Sequence, residues 1–243
     1  MSDPGKVRDV NEDAQLDRSD AGLWVVADGM GGHDAGDVAS NMIVDTLAQL
    51  TVPPEHADFL DAVEDALMDV NKRLFAAATE GDEHRTIGST VVAMIVREDY
   101  ALILWAGDSR AYRLRDQRLQ RITRDHSQVE EMIELGELLR EDAETHPLAN
   151  VITRAVGGED DLRLDFCVER ILDADRYLLC SDGLFKDVSE PEIEQILSEG
   201  SGHEAASKLV ETVLEREAAD NITVQVIDFS SIEASAEAAV GTS

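Results

Sequence analysis

A layered α+β domain with antiparallel sheets is the fold predicted for this chain. Three observations lead there. Apolar runs that stop at turn residues recur along the chain, and the helical stripes arrive in pairs, so the regular βαβ alternation of a parallel sheet is missing. Two of the apolar runs, 89–96 and 100–106, are separated only by Arg97-Glu98-Asp99, which is hairpin spacing. The length, 243 residues, suits one such domain.

The elements follow in order. Residues 23–27 are an apolar run ending at Asp28-Gly29. Residues 37–50 place Val38, Met42, Ile43, Leu47 and Leu50 on one helical face, and 57–78 do the same with Phe59, Val63, Leu67, Val70, Leu74 and Phe75. Runs 89–96 and 100–106 form the hairpin, and 111–114 make the next strand. The polar stretch 125–157, with short helical pieces and His146-Pro147, reads as an inserted flap. Residues 163–169 alternate with period two, 176–180 end at Ser181-Asp182-Gly183, and 222–229 close the strand set. Residues 190–197 start a helix behind Ser189 as N-cap, with Pro191 in the first turn, and 203–217 are amphipathic. One domain is expected over 1–230, and the Ala-, Ser- and Glu-rich stretch 231–243 is expected to fray.

Composition narrows the function. Fifty-two acids against 21 bases leave a net charge of −31, a surface that repels phosphate backbones and anionic lipid. Nucleic acid and membrane are therefore poor partners, and no apolar run approaches the ~18 residues of a bilayer span. The first residues lack the basic-then-apolar pattern of a signal peptide, so a cytoplasmic, monomeric protein is expected. Cys167 and Cys180 sit in strand-like runs and read as free, buried thiols.

The chemistry shows in where the aspartates fall. Asp28, Asp108 and Asp182 each close an apolar run and each touches a glycine, while Asp220 stands just before the last strand. A single Asp-Gly is ordinary turn chemistry. Four acids at the ends of uniformly apolar runs are better explained as a cluster, and clustered carboxylates repel unless a cation neutralises them. Oxygen-only donors point to a hard ion such as Mn2+ or Mg2+. The six histidines show no zinc-ligand spacing. The loop Asp28-Gly29-Met30-Gly31-Gly32-His33 lacks the P-loop and dinucleotide fingerprints, and suits a carboxylate plus an exposed carbonyl on a metal. Arg8, next to Asn11-Glu12-Asp13, is a surface pair unless it lies beside that metal, where its guanidinium could grip a phosphate. The arginines between 110 and 124 read as a solvated strand edge and turn in preference to a docking strip.

These residues resemble the metal-dependent PPM (type 2C) serine/threonine protein phosphatases in their bacterial form. The resemblance runs in order through GKVRDVNED at 5–13, VADGMGGHDAG at 26–36, GSTVV at 88–92, AGDSRAYRLR at 106–115, RDHSQVEEMIELGEL at 124–138, HPLANVITRAVG at 146–157, RYLLCSDGL at 176–184 and ADNITVQV at 219–226. It implies a four-layer α-β-β-α sandwich of two antiparallel sheets flanked by helices, with 125–157 as the family's flap. It also implies two tight Mn2+ or Mg2+ ions. Asp28 would bridge them, the Gly29 carbonyl would bind the second, Asp182 and Asp220 the first, and Glu12 and Asp13 would hold metal-bound water. Asp108, with Asp182, would take a third and weaker ion, and Arg8 would bind the substrate phosphate. The implied reaction is direct attack of a bridging water on phosphoserine or phosphothreonine, without a phosphoenzyme. The implied partners are phosphorylated proteins and the serine/threonine kinase that makes them.

One departure stands out. Animal members carry histidine directly after the metal-binding Asp-Gly, where this chain has Met30; many bacterial members share this and place a histidine three residues later, here His33. His33 is thus the candidate acid for the leaving oxygen, the alternative being that it only orders its loop. Rival chemistries fit less well. A cysteine phosphatase needs arginine six places after its nucleophile, and Lys186 holds that place after Cys180, Asp173 after Cys167. Asp173-Ala174-Asp175 looks like the paired aspartates of a haloacid-dehalogenase-type phosphatase, but its strand follows the motif instead of preceding it. The remaining alternative, a catalytically weak phosphatase-fold regulatory binding module, would be expected to lose metal ligands, and all of them are present.

Overall fold

The computed structural model describes residues 1–31, 35–52, 56–79, 87–143 and 145–230. In chain order the strands and helices are β1 (Ser2–Asp3), β2 (Asp13–Arg18), β3 (Leu23–Gly31), α1 (Ala35–Ala48), α2 (His56–Thr79), β4 (Ile87–Ser89), β5 (Val91–Arg97), β6 (Tyr100–Ala106), β7 (Arg110–Arg115) and β8 (Arg118–Arg121). There follow α3 (Gln128–Glu134), β9 (Asp165–Arg170), β10 (Arg176–Cys180), α4 (Asp182–Phe185), α5 (Glu190–Leu197), α6 (Gly202–Leu214) and β11 (Ile222–Asp228).

Two antiparallel sheets stack face to face. One has the order β2-β3-β5-β6-β9, with β4 added on β3; the other has the order β1-β11-β10-β7-β8. Helices α1 and α2 cover the first sheet through Ile43, Leu47, Phe59 and Leu67 against Leu23, Val25, Ala93 and Ile95. Helices α5 and α6 cover the second through Ile193, Leu197, Leu209 and Val213 against Leu178, Cys180 and Val224. Between the sheets lie Val26, Val92, Met94, Ile103, Tyr177 and Leu179. The central strands are therefore apolar on both faces, which is why they read as continuous runs without alternation. The expected α-β-β-α layering is the one observed.

Local rules account for the boundaries. The β5–β6 hairpin turns at Glu98 with φ 51° and pairs Arg97 with Tyr100. The β7–β8 turn puts both Asp116 and Gln117 at positive φ, a primed hairpin turn made without glycine, so sequence gave no signal for β8. Helix α5 begins behind Ser189, whose backbone N–H donates to Glu192 at 3.1 Å, and α6 repeats this capping box with Ser201 and Glu204.

Several sequence boundaries need correction. The 89–96 run is two strands interrupted at Thr90, β3 continues to Gly31 beyond the expected end at 27, and the helix expected over 203–217 stops at Leu214. Both cysteines are free, Cys180 buried and Cys167 half-buried, and burial pushes their thiols up to about 12 and about 11. Among the described residues no helix is long and apolar enough to cross a membrane. The frayed stretch expected at 231–243 lies outside the described residues.

Candidate active site

The acids meet at one end of the inter-sheet layer. Along β3 the even positions Trp24 and Val26 face the other sheet, and Asp28 continues that face. Asp13 opens β2 directly opposite Asp28 in the ladder. From the other sheet, Asp182 follows β10 as the first residue of α4, and Asp220 precedes β11. Asp108 sits in the β6–β7 connection. Two positions thus differ from the sequence reading. Asp28 lies within a strand, not at its end, and Asp182 lies on the first turn of a short helix.

Neighbouring residues fix this cluster. Thr90, in the break between β4 and β5, donates its backbone N–H to the Asp28 carbonyl at 2.9 Å and accepts the Asp28 N–H on Oγ1 at 3.1 Å. The same hydroxyl meets Ser109 Oγ at 2.7 Å, tying the Asp28 and Asp108 segments together. His126 holds the Gly107 turn, accepting the Gly107 N–H on Nδ1 at 3.1 Å. Asn221 clamps the N-terminal loop. It accepts the Glu12 N–H at 2.8 Å and donates to the carbonyls of Pro4 and Val10 at 3.0 and 3.1 Å. Gly29 and Gly36 lie so close to each other and to Glu12 that a Cβ on either would overlap them. Glycine here serves a backbone approach before any ion is considered.

The electrostatics are those of uncompensated acids. Burial, followed by the charges of Asp182 and Asp220, pushes the Asp13 carboxyl up to about 7, although its Oδ2 accepts from Ser181 at 2.7 Å. Asp108 is pushed to about 7 by burial and by Asp182 and Asp125. Asp28 is raised well above the usual carboxylate range by burial and by Asp182, Asp13, Asp108 and Asp220. Burial also raises Glu12 and Asp182. Asp13 Oδ1 and Asp108 Oδ1 are buried without a hydrogen-bond partner, a condition that ordinarily costs about 1–3 kcal/mol each.

The side chains are turned to protein donors. Arg8 pairs with Asp220 at 2.9 Å, and Lys186 reaches Asp182 at 2.5 Å and Asp220 at 3.2 Å. Accordingly, among the described residues no three acid, histidine or cysteine side chains already close around a single point. The cluster is a set of convergent donors, with its carboxylates partly engaged by cations of the chain itself.

In the arginine run of 110–124, Arg118 is exposed at the strand edge as the sequence reading expects, while the other five are engaged in ion pairs. Arg110 grips Asp125 through Nε and Nη2 and lies over the Phe185 ring at 3.5 Å, Arg113 pairs with Glu169, and Arg115 with Asp175. Arg121 and Arg124 meet Glu130 of α3. The pairs to Asp125 and Glu130 fasten the start of 125–157 to β7 and β8, while Arg113 and Arg115 tie β7 to Glu169 and Asp175. His33 lies outside the described residues.

Over residues 6–222 the chain matches the family model described as Protein phosphatase 2C. The chain belongs to that family. It is 36% identical over 235 residues to the serine/threonine phosphatase stp of Listeria welshimeri, covering 93% of both chains. Its fold superposes with a TM-score of 0.87 on PppA, a key regulatory component of T6SS in Pseudomonas aeruginosa, at 43% identity over 94% of this chain and 96% of that one. A TM-score of 0.85 at 34% identity relates it to the catalytic domain of PstP in complex with two manganese ions, over 95% of this chain and 96% of that one. The protein is a serine/threonine protein phosphatase of the type 2C family, with phosphorylated proteins as its substrate class and a dependence on metal. Sequence reading named every acid of the cluster. It missed Asn221, Thr90, Ser181 and Lys186, whose residue types carry no signal until the chain folds.

Proposed function

We propose that this phosphatase hydrolyses phosphoserine and phosphothreonine at the acid cluster, with Mn2+ or Mg2+ as cofactor. Asp28 would contact both of two tightly held ions, the Gly29 carbonyl one of them, and Asp182 and Asp220 the other. Glu12 and Asp13 would order the surrounding water, and Asp108 with Asp182 would take a third, weaker ion. The observation that carries this reading is the pair of buried, unpartnered oxygens on Asp13 and Asp108, beside Asp28, which burial and the surrounding acids drive well up. A divalent ion satisfies both features, and hard carboxylate oxygens suit Mn2+ or Mg2+.

When bound, the ions supply polarisation of the phosphoryl group and a water acidic enough to attack phosphorus near neutral pH. The remaining work falls to the chain. Arg8, half exposed and anchored on Asp220, offers its planar fork to the substrate phosphate. His33 is the candidate donor of the proton that the leaving serine or threonine oxygen requires. A placed acid of this kind contributes roughly 10²–10⁴ in rate for an alkoxide and much less for a phenolate. His33→Ala should therefore slow phosphopeptides strongly and p-nitrophenyl phosphate little; equal slowing of both assigns His33 to ordering its loop. Residues 125–157 are read as the flap of one catalytic unit spanning 1–230. A serine/threonine kinase supplies the substrates, and the enzyme works as a cytoplasmic monomer.

The direct test is hydrolysis of a phosphothreonine peptide with Mn2+ or Mg2+. Turnover should vanish in EDTA and return on adding metal. Chelator-resistant turnover would overturn the reading.

A further inference from the structure

Lys186 stands out among the cations of the molecule. It follows α4 one helical turn after Asp182, so the two side chains share a face. Its Nζ lies 2.5 Å from Asp182 and 3.2 Å from Asp220, the two carboxylates that "Proposed function" gives to one ion, and its charge also reaches Asp108. The side chain is about one-third exposed, 36%, and it lines the mouth of a cavity of about 620 Å³ together with Asp108, Arg110 and Phe185. It therefore has somewhere to go when it leaves the acids. Arg110, the neighbouring cation, does not: its Nε and Nη2 are held by Asp125 and its Nη1 by the Tyr112 hydroxyl.

We propose that Lys186 is a built-in counter-cation that competes with the metal for Asp182 and Asp220, and so sets the metal concentration at which this phosphatase switches on. The inference rests on the reading of Asp182 and Asp220 as metal ligands. The physics is direct. An ammonium and a divalent ion on the same two carboxylates would sit only a few ångströms apart, and at an effective dielectric near 20 that repulsion well exceeds thermal energy. Either the ammonium withdraws or the ion binds weakly, and both cost metal affinity. Without the ion, the same ammonium neutralises acids that would otherwise face one another in a poorly solvated site.

Lys186→Met keeps the stem and removes the charge; Lys186→Arg keeps the charge. Mn2+ binding is measured by titration calorimetry, and thermal melting in EDTA and in saturating Mn2+, on the full chain. Lys186→Met should bind Mn2+ on the order of tenfold more tightly, melt lower than wild type in EDTA, and match or exceed it in saturating Mn2+. Lys186→Arg should stay near wild type in all three. Asp182→Asn, measured alongside, separates the two levels of the claim. If it loses a Mn2+ site while Lys186→Met binds as wild type or more weakly, the counter-cation role is overturned and the ligand assignment stands. If Asp182→Asn binds Mn2+ like wild type, both fall. A Lys186→Met variant with unchanged Mn2+ affinity but a raised KM for phosphopeptide would make Lys186 a substrate contact, which also overturns the proposal.

Discussion

Strand β10 has an aspartate at each end, and the two live in opposite worlds. Asp175, just before the strand, is fully buried yet well satisfied. It accepts from Arg115 through both oxygens, at 2.7 and 2.6 Å, and from the Leu172 N–H at 2.7 Å. Burial works to raise it, but those donors hold its carboxyl below the usual range. Asp182, just after the strand, is raised by burial, and burial together with the charge of Asp182 pushes up Asp13, Asp28 and Asp108. At the first end the chain brings one guanidinium to each acid, with Arg113 on Glu169 and Arg176 on Asp228 repeating the pattern. At the other end it gathers more carboxylates than cations. A buried acid with its own arginine is structural; acids left to repel one another are held for something that binds.

The sharpest way to break this comparison is Asp182→Asn. Metal-dependent turnover should fall by more than about a hundredfold, since a lost outer-shell partner alone costs 10–100-fold and this residue is proposed as a direct ligand. Melting in EDTA should not fall by much, because a like charge has left the cluster. Wild-type kinetics would place Asp182 outside the site.

The matched change at the other end is Asp175→Asn. It strands Arg115, which is about one-quarter exposed at 24%, and should cost roughly 1.5–3 kcal/mol of stability in denaturant unfolding. The kcat of the folded fraction should be unchanged. A loss of activity without loss of stability would erase the distinction between the two ends.

Arg8→Ala should lower kcat/KM for a phosphopeptide about tenfold, roughly 1.4 kcal/mol, mostly through KM. Mn2+ affinity should stay close to wild type. If affinity collapses and KM holds, Arg8 serves the fold through Asp220.

The mildest effect concerns pH. Burial and neighbouring acids push Asp13 and Asp108 up to about 7 in the folded chain, from the 3.8 of a free aspartate. Between those values these two acids bind more protons in the folded state than in the unfolded one, so in EDTA their contribution to stability is fullest below about pH 4 and declines as pH rises to about 7. Saturating Mn2+ should cancel the decline, because the ion replaces the protons. Denaturant midpoints at several pH values, with and without metal, check this. A rise in stability across that window in EDTA would mean that the acids are compensated already.

Much of the molecule could be read directly from residue order. Runs buried on both faces, such as β5 and β6, are legible because their continuous apolar character needs no knowledge of the partner. Helices α1, α2, α5 and α6 were legible from their stripes and from the Ser189 cap, whereas the single turn of α4 was not. β2 was not: its string, DAQLDR, holds only Ala14 and Leu16 as apolar residues, and its pairing with β3 makes it a strand. Asp28, Asp108, Asp182 and Asp220 were foreseen from acids placed at the ends of apolar runs, a local pattern, while Glu12 and Asp13 entered through the family resemblance alone.

Local order and packing divide the rest between them. The residues alone set strand character, helix faces, the surplus of acid and the set of acids with chemical potential. They mark Asp182 by the glycine beside it, but they do not say that Asp175 meets a guanidinium while Asp182 meets further acids. That distinction comes from residues far along the chain. Arg115, sixty positions from Asp175, supplies one partner, while Asp13, 168 positions from Ser181, brings another acid to the other end. A carboxylate's role depends on the charges within a few ångströms of it, and only the stacking of two sheets decides which charges those are.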